Sequence, residues 1–390
     1  AWRNTVFAYH LSISCNHCER PICLEGCPTR AITRRDDGVV LIEPDRCMGC
    51  GYCGWLCPYG APQYQADLGV MTKCSFCVED LDAGLEPACV TACPVRALDA
   101  GERGRLAERH STDDSAVDMA PLPARELTEP ALLLAPHAQF ARSSEPDVEL
   151  TPRAPRGLRE WSLVLFTVLS QAAAGVALFG AGLRLWLGGS GEARGLDPVI
   201  LPAIVGLLVT AVCLSLLHLG RKRNAARALS NLRSSWLSRE ILASLALLIV
   251  TAVAWWLAVS VEAAAVRAWA GWTTVPVAVL FLIGMARVYM QRTVPAWTHW
   301  RTPLAFTATA VLLGGLVANV LLWSAGSLSF EQKRAASLLI LTACVVGAGA
   351  THGLRKIRRR TGRPGRFGGG VAGGLSAFAG LALLVLLVVR

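Results

Sequence analysis

Twelve of the fourteen cysteines fall between Cys15 and Cys93, in three groups that each end in Cys-Pro. They are Cys15, Cys18, Cys23 and Cys27 before Pro28; Cys47, Cys50, Cys53 and Cys57 before Pro58; and Cys74, Cys77, Cys89 and Cys93 before Pro94. A stretch so dense in thiols has little apolar core of its own and folds around what the thiols hold. Repeated Cys-x-x-Cys units with no signal peptide ahead of them point to metal ligation rather than to a secreted disulfide scaffold.

The second group reads CxxCxxCxxxCP, the run that in bacterial ferredoxins gives three thiolates to one [4Fe–4S] cluster and the fourth to its neighbour. The first group widens one gap to four residues and the third widens it to eleven. Asp37-Gly38 followed by Val39-Val40-Leu41-Ile42 predicts a tight turn entering a short strand. The expected fold for residues 1–110 is therefore an α+β bacterial-ferredoxin-like cluster domain. Zinc also favours paired CxxC units, but its sites close locally and have no use for three CxxxCP endings. Iron–sulfur clusters are the preferred reading, and a zinc-binding membrane interaction or sensor module is the alternative from another class.

The rest of the chain has a different chemistry. Over 390 residues the hydrophobic fraction is 53% and the mean hydropathy +0.43, too apolar for an ordinary soluble protein. The net charge of +10 divides into −3 for residues 1–110, −4 for 111–160 and +17 for 161–390. Positive charge lying between apolar runs orients membrane helices, and no nucleic-acid partner is expected. Residues 111–159 are Pro-rich and acidic and read as a strap or linker, with disorder as the other reading. Seven apolar runs follow, near 161–187, 199–219, 241–261, 269–290, 303–325, 335–352 and 370–389, so residues 160–390 are expected to form an all-α polytopic membrane bundle in the lipid bilayer.

The segments after the second, fourth and sixth runs hold most Lys and Arg, from Arg221, Lys222 and Arg223 to Arg363 and Arg366. The positive-inside rule puts them, and with them the cluster domain, on the cytoplasmic side of the cytoplasmic membrane, the periplasmic side being the alternative. Of the five carboxylates beyond residue 160, Glu192, Asp197, Glu262 and Glu331 lie on the far side and Glu240 on the cluster side. His218 ends the second run on that same face. An imidazole and a carboxylate there suit a site that takes two protons from a quinol as its electrons leave. Each has a structural reading too: Ser238 capping a helix with Glu240 in its first turn, and His218 solvated at the interface. His299 and His352 read as structural, and Cys213 and Cys344 as small hydrophobes within helices.

Several phrases carry a resemblance. Val6-Phe7-Ala8-Tyr9, Leu11-Ser12-Ile13-Ser14-Cys15-Asn16-His17-Cys18, Cys57-Pro58-Tyr59-Gly60-Ala61-Pro62-Gln63-Tyr64 and Met71-Thr72-Lys73-Cys74 resemble the iron–sulfur subunit of the dimethyl sulfoxide reductase family. Leu217-His218-Leu219-Gly220, Ala228-Leu229-Ser230-Asn231-Leu232, Glu240-Ile241, Arg287-Val288-Tyr289 and Thr293-Val294-Pro295-Ala296-Trp297 resemble that family's membrane-anchor subunit. The chain thus looks like a fusion of the two. The resemblance implies that Cys15, Cys18, Cys23 and Cys57 hold one [4Fe–4S] cluster and Cys47, Cys50, Cys53 and Cys27 the next. It implies that Cys74, Cys77, Cys89 and Cys93 pair with a further cysteine group, so that up to four clusters are present with it. With Ala1 in place of Met and seven apolar runs against eight helices in the family, truncation at both ends is expected.

By the same resemblance, His218 and Glu240 bind menaquinol, and the chain is an electron-transfer subunit of anaerobic respiration. It would pass electrons to a separate molybdopterin-containing catalytic subunit, since no molybdopterin signature is read here. Quinol oxidation is the one chemical step the chain itself would perform. The same relay run in reverse, reducing quinone from a dehydrogenase partner, stays open, because cysteine spacing carries no direction.

Overall fold

The computed structural model describes residues 14–110, 122–134, 161–186, 197–261, 263, 266, 269–294 and 297–324. The apolar runs near 335–352 and 370–389, His352, Cys344, Glu192, Glu262, Glu331 and most of the strap lie outside them. Contacts divide the chain into two units, residues 1–158 with 220–235, and residues 159–219 with 236–390.

The first unit repeats one pattern twice. Helix α1 (Ile22–Gly26) carries Cys23 and stops at Cys27; α2 (Tyr52–Leu56) carries Cys53 and stops at Cys57. A two-stranded antiparallel hairpin follows each helix: β1 (Ile32–Arg34) with β2 (Val40–Ile42), in the register Ile32↔Ile42, and β3 (Gln63–Gln65) with β4 (Val70–Thr72), Gln63 opposite Thr72. The predicted turn at Asp37-Gly38 closes the first hairpin. The third pass replaces hairpin and helix with three short helices, α3 (Val78–Asp82), α4 (Ala88–Thr91) and α5 (Arg103–His110). The buried core is small and is partly made of thiols: Ala31, Ile32, Val40, Val70 and Met71 pack with Cys27, Cys47 and Cys53.

Two segments distant in sequence complete this unit. Residues 122–134 run alongside the first cysteine group, with Glu19 N donating to Glu129 O at 2.8 Å, Arg20 N to Thr128 O at 3.1 Å and Ala131 N to Asn16 O at 2.9 Å. The described part of the strap is therefore ordered by backbone pairing. Gly220–Ser235 also belongs here although it joins two apolar helices. Its 3₁₀ turn Lys222–Leu229 buries Asn224 and Ala228. A Cβ at Gly220 would strike the Gly69 carbonyl, and one at Gly69 would lie 2.8 Å from the Gly220 oxygen, so the two backbones approach as only glycines allow.

The second unit contains five described helices long and apolar enough to cross a membrane: α6 (Trp161–Trp186), α7 (Asp197–Ser215), α8 (Trp236–Ser260), α9 (Thr274–Tyr289, preceded by a 3₁₀ turn) and α10 (Arg301–Ser324). α6 packs on α7 and α10, and α8 on α7 and α9. Phe281, Leu183, Ile200, Ile204, Leu208, Leu247 and Met285 fill the centre. Between α6 and α10 the backbones nearly touch at Gly175, Ala310 and Gly314, where a Cβ on either glycine would collide with the other helix. Small residues at a crossing let apolar helices gain van der Waals contact that lipid cannot supply. Two boundaries differ from the sequence reading. α7 ends at Ser215, three residues before His218, and α8 begins at Trp236 rather than near 241, because the polar residues Ser238, Arg239 and Glu240 continue the helix inward.

Arg184 near the end of α6 forms an ion pair with Asp197 at the start of α7, both buried and closed over by Gly271. Removing one partner of a buried pair leaves an uncompensated charge, whereas removing both does not. Arg184→Leu is expected to destabilise the protein by about 3–5 kcal/mol, and Arg184→Leu with Asp197→Leu to recover most of that loss, read as thermal unfolding in detergent. Gly175→Ala is expected to cost about 1–3 kcal/mol by overpacking in the same assay, with no change in metal content.

Candidate metal centre and membrane site

All twelve cysteines of the three groups lie among the described residues, and all are free thiols. The fold brings eight of them into two adjoining sets. The charges of Cys15 and Cys57 bear on both Cys18 and Cys23, and that of Cys15 bears on Cys57. In the other set Cys27 and Cys47 bear on Cys50 and Cys53, and Cys27 bears on Cys47. Cys53 also feels Cys23, so the sets meet there. The grouping crosses the sequence, with Cys57 joining the first group and Cys27 the second. The topology explains it: each helix stops at the last cysteine of its group, and the chain then turns away toward the other group. Cys74, Cys77, Cys89 and Cys93 are outside the buried core, and Cys89 is exposed.

A recurring backbone turn presents these sulfurs. Three residues after the last cysteine of each group, Arg30, Gly60 and Arg96 have φ of +52°, +64° and +49°. That conformation turns the next amide back on the sulfur: Ala31 N donates to Cys27 Sγ at 3.3 Å, Ala97 N to Cys93 Sγ at 3.2 Å, and Ala61 N to Cys57. Left-handed φ costs a residue with a Cβ about 1–2 kcal/mol, which Arg30 and Arg96 bear in order to make this bond. The pattern is visible in the sequence as Cys-Pro-x-(Arg/Gly)-Ala, at Cys27–Ala31, Cys57–Ala61 and Cys93–Ala97. The first cysteine pairs turn likewise, with Gly49 N on Cys47 Sγ at 3.4 Å and Phe76 N on Cys74 Sγ at 3.3 Å.

Burial pushes the Cys18 thiol up to about 11 and Cys50 to about 12, and raises Cys23, Cys47, Cys53 and Cys57 as well. These six become thiolates only if positive charge is placed among them, as iron does. Among the described residues no three His, Cys, Asp or Glu side chains converge closely enough for a single metal ion. A cube of four irons takes its thiolates one per iron, at wider spacing than a lone tetrahedral ion. His17 adds to the fit. Its Nδ1 accepts the Val40 amide at 3.0 Å, which leaves the ring proton on Nε2, and Nε2 is buried without a protein partner among the described residues. A buried hydrogen-bond donor flanked in sequence by Cys15 and Cys18, and lacking an acceptor, suits inorganic sulfide.

Thr128, in the strap, was not evident from the sequence. It is buried, bonds Tyr59 Oη at 3.1 Å and reaches Cys18 with its hydroxyl. No pattern in residues 122–134 announces it, because its role depends on where the strap lies.

In the second unit, Glu240 is only 5% exposed. It is the fifth residue of α8, past the first turn, and Ser238 lies inside the helix rather than at its cap, so capping and the helix dipole do not account for this carboxylate. Gly284 of α9 packs against its backbone, where a Cβ would lie 3.5 Å from Glu240 Cα. Tyr289, bonded to Thr167, lies within electrostatic range of it. His218 is in the turn after α7. Burial lowers its pKa, the Ser215 backbone pulling it partway back, and Nδ1 has no hydrogen-bond partner among the described residues. No hydrogen bond joins His218 to Glu240 among those residues. His299 Nδ1 accepts the Arg301 amide at 3.2 Å at the start of α10. Cys213 lies in α7 with its side chain on the exposed apolar surface.

Residues 6–103 match the 4Fe-4S dicluster domain, and residues 155–358, more than half the chain, match the DMSO reductase anchor subunit (DmsC). The B subunit of anaerobic dimethyl sulfoxide reductase from Escherichia coli (strain K12) is 49% identical over 137 residues, 35% of this chain and 65% of that protein. YnfG, a probable anaerobic dimethyl sulfoxide reductase subunit of the same strain, is 47% identical over the same coverage. The B subunit of Haemophilus influenzae is 45% identical over 143 residues, 37% of this chain and 68% of the relative. The chain thus spans about two thirds of the length of these relatives, and no solved structure matches it. A 4Fe-4S dicluster domain followed by apolar helices under an anchor-subunit match makes this a multi-pass membrane protein, and the chain belongs to the dimethyl sulfoxide reductase family, as an iron–sulfur subunit fused to a DmsC-type membrane anchor.

Proposed function

We propose that the chain oxidises menaquinol in its membrane unit and passes the electrons through [4Fe–4S] clusters to a molybdopterin-containing catalytic subunit. The observation that carries the reading is the gathering of eight buried or half-buried thiols into two sets, in a chain whose other half is a DmsC-type anchor. Cys15, Cys18, Cys23 and Cys57 hold one cluster, and Cys27, Cys47, Cys50 and Cys53 the other. Cys74, Cys77, Cys89 and Cys93 contribute to further clusters by pairing with a further cysteine group. When bound, such a cluster supplies one-electron transfer at a potential set by its burial and hydrogen bonding. The chain's own part is to hold the sulfurs, exclude water with Val40, Val70 and Met71, and offer the Ala31, Ala61 and Ala97 amides to the ligating sulfurs.

At the membrane site, His218 is held neutral by burial and accepts a proton from the quinol, and Glu240 takes the second. The cluster unit sits on the cytoplasmic side, following the Lys and Arg of the segments after α7 and α9. The domain boundaries in this reading are residues 1–110 for the cluster fold, 111–159 for the strap and 160–390 for the anchor, with Gly220–Ser235 serving the cluster fold.

Iron, acid-labile sulfide and zinc on protein purified without oxygen test the cluster assignment. About eight irons with matching sulfide per chain are expected from the two sets, and zinc without sulfide would remove the electron-transfer reading. His218→Ala and Glu240→Gln are each expected to slow oxidation of a menaquinol analogue by about 100-fold with iron content unchanged. Normal turnover in both variants would sink the assigned quinol site.

A further inference from the structure

Asn224 and Asn231 stand seven residues apart in the segment between α7 and α8, are both buried, and make the same pair of bonds. Asn224 Nδ2 donates to the carbonyl oxygens of Asp45 and Cys47, each at 2.9 Å. Asn231 Nδ2 donates to those of Glu25 at 3.1 Å and Cys27 at 2.9 Å. In each case the acceptors are a cysteine and the residue two before it. Only the amide nitrogen can serve two carbonyls, and the Ser234 hydroxyl fixes the orientation of Asn231 by meeting its Oδ1 at 2.8 Å. Around the two carboxamides, Ser235 Oγ donates to Gly26 O at 2.8 Å and Arg221 N to Met48 O at 3.1 Å, while Glu25 O, 2.8 Å from Ser234 Oγ, shares that hydroxyl's one proton with Asn231 Oδ1.

Cys27 and Cys47 come from different cysteine groups but fall in the same set: Cys27 precedes β1 and Cys47 follows β2, at the end of the hairpin where Ile32 faces Ile42. One short segment therefore grips both through their own carbonyls. The other set, Cys15, Cys18, Cys23 and Cys57, has no carboxamide from this segment on it. Arg221 adds its positive charge within reach of Cys47, and its Nη1 donates to Pro44 O at 2.8 Å. A cluster gains a negative charge on reduction, so donors that offset the carbonyl dipoles of its ligands favour the reduced form.

We propose that Asn224 and Asn231 are a paired carbonyl clamp that fixes Cys27 and Cys47 across one cluster and raises the reduction potential of that cluster above that of its neighbour. They are positioning residues, acting on the cluster through its ligands. The proposal rests on the cluster assignment above. In sequence the clamp is bracketed by His218 and Glu240.

The test is a redox titration, followed by electron paramagnetic resonance, of the full chain purified without oxygen in detergent, alongside its iron content. The variants are Asn224→Ala, Asn231→Ala and the isosteric Asn224→Asp and Asn231→Asp, which cannot donate. In each, the oxidised-to-reduced ratio of one cluster at fixed potential is expected to rise about tenfold, a fall of about 59 mV for a one-electron couple, with the Asp variants shifted further and the second cluster unmoved. Unchanged potentials with full iron would overturn the proposal. So would an equal shift of both clusters, or loss of iron in all four variants, since those report general loosening. Wild-type protein without iron and sulfide would instead overturn the cluster assignment, which separates the two failures.

Discussion

Burying sulfur is the constraint on which the first unit depends. Cys27, Cys47 and Cys53 occupy core positions beside Val40 and Met71, and desolvation opposes the ionisation of Cys47 and Cys53 there. A fold with so few apolar side chains gains stability only when that opposition is reversed by positive charge among the thiols. The hairpins β1–β2 and β3–β4 are three residues per strand, too short to stand alone, and take their positions from the cysteines at either end. The left-handed turns at Arg30 and Arg96 follow from the same need, since they aim an amide at each terminal sulfur.

Much of this is legible in the amino-acid order. Cysteine spacing is a covalent record of which sulfurs must meet, and Asp37-Gly38 marks its turn by residue type alone. The apolar runs locate the five described membrane helices to within a few residues, except where polar side chains enter the membrane unit. Near Glu240, hydropathy starts the helix too late in the chain, because a buried carboxylate looks like a boundary when only apolar character is read. The structure shows α8 beginning at Trp236, where Arg239 stacks on the Trp236 ring at 4.3 Å and shields the first turn. What the sequence could not convey were contacts between distant segments. Thr128 near Cys18, and the carboxamides of Asn224 and Asn231 on two cysteine carbonyls, are ordinary polar residues until the chain is folded.

The second unit follows a different rule. Its helices are apolar on nearly every face, so water drives them into a bilayer but does little to join them to one another. Joining falls to shape and to a few polar groups: the close approach of Gly175 and Gly314, and the buried pair of Arg184 and Asp197 at one end of α6 and α7. The hydroxyls within these helices are turned inward on their own backbone, as Ser170 to Phe166 O and Thr251 to Leu247 O, which leaves no polar group facing hydrocarbon at those sites.

The assignment of Gly220–Ser235 to the first unit bears on how the protein is made. Synthesis yields the cysteine region first, yet the residues that hold the carbonyls of Cys27 and Cys47 emerge only after α6 and α7 have been translated. The early domain is therefore left open on one side while those two helices enter the bilayer, and closes when residue 235 arrives. In the order of synthesis, the carbonyls of Cys27 and Cys47 therefore gain their side-chain donors only after two membrane helices have been made.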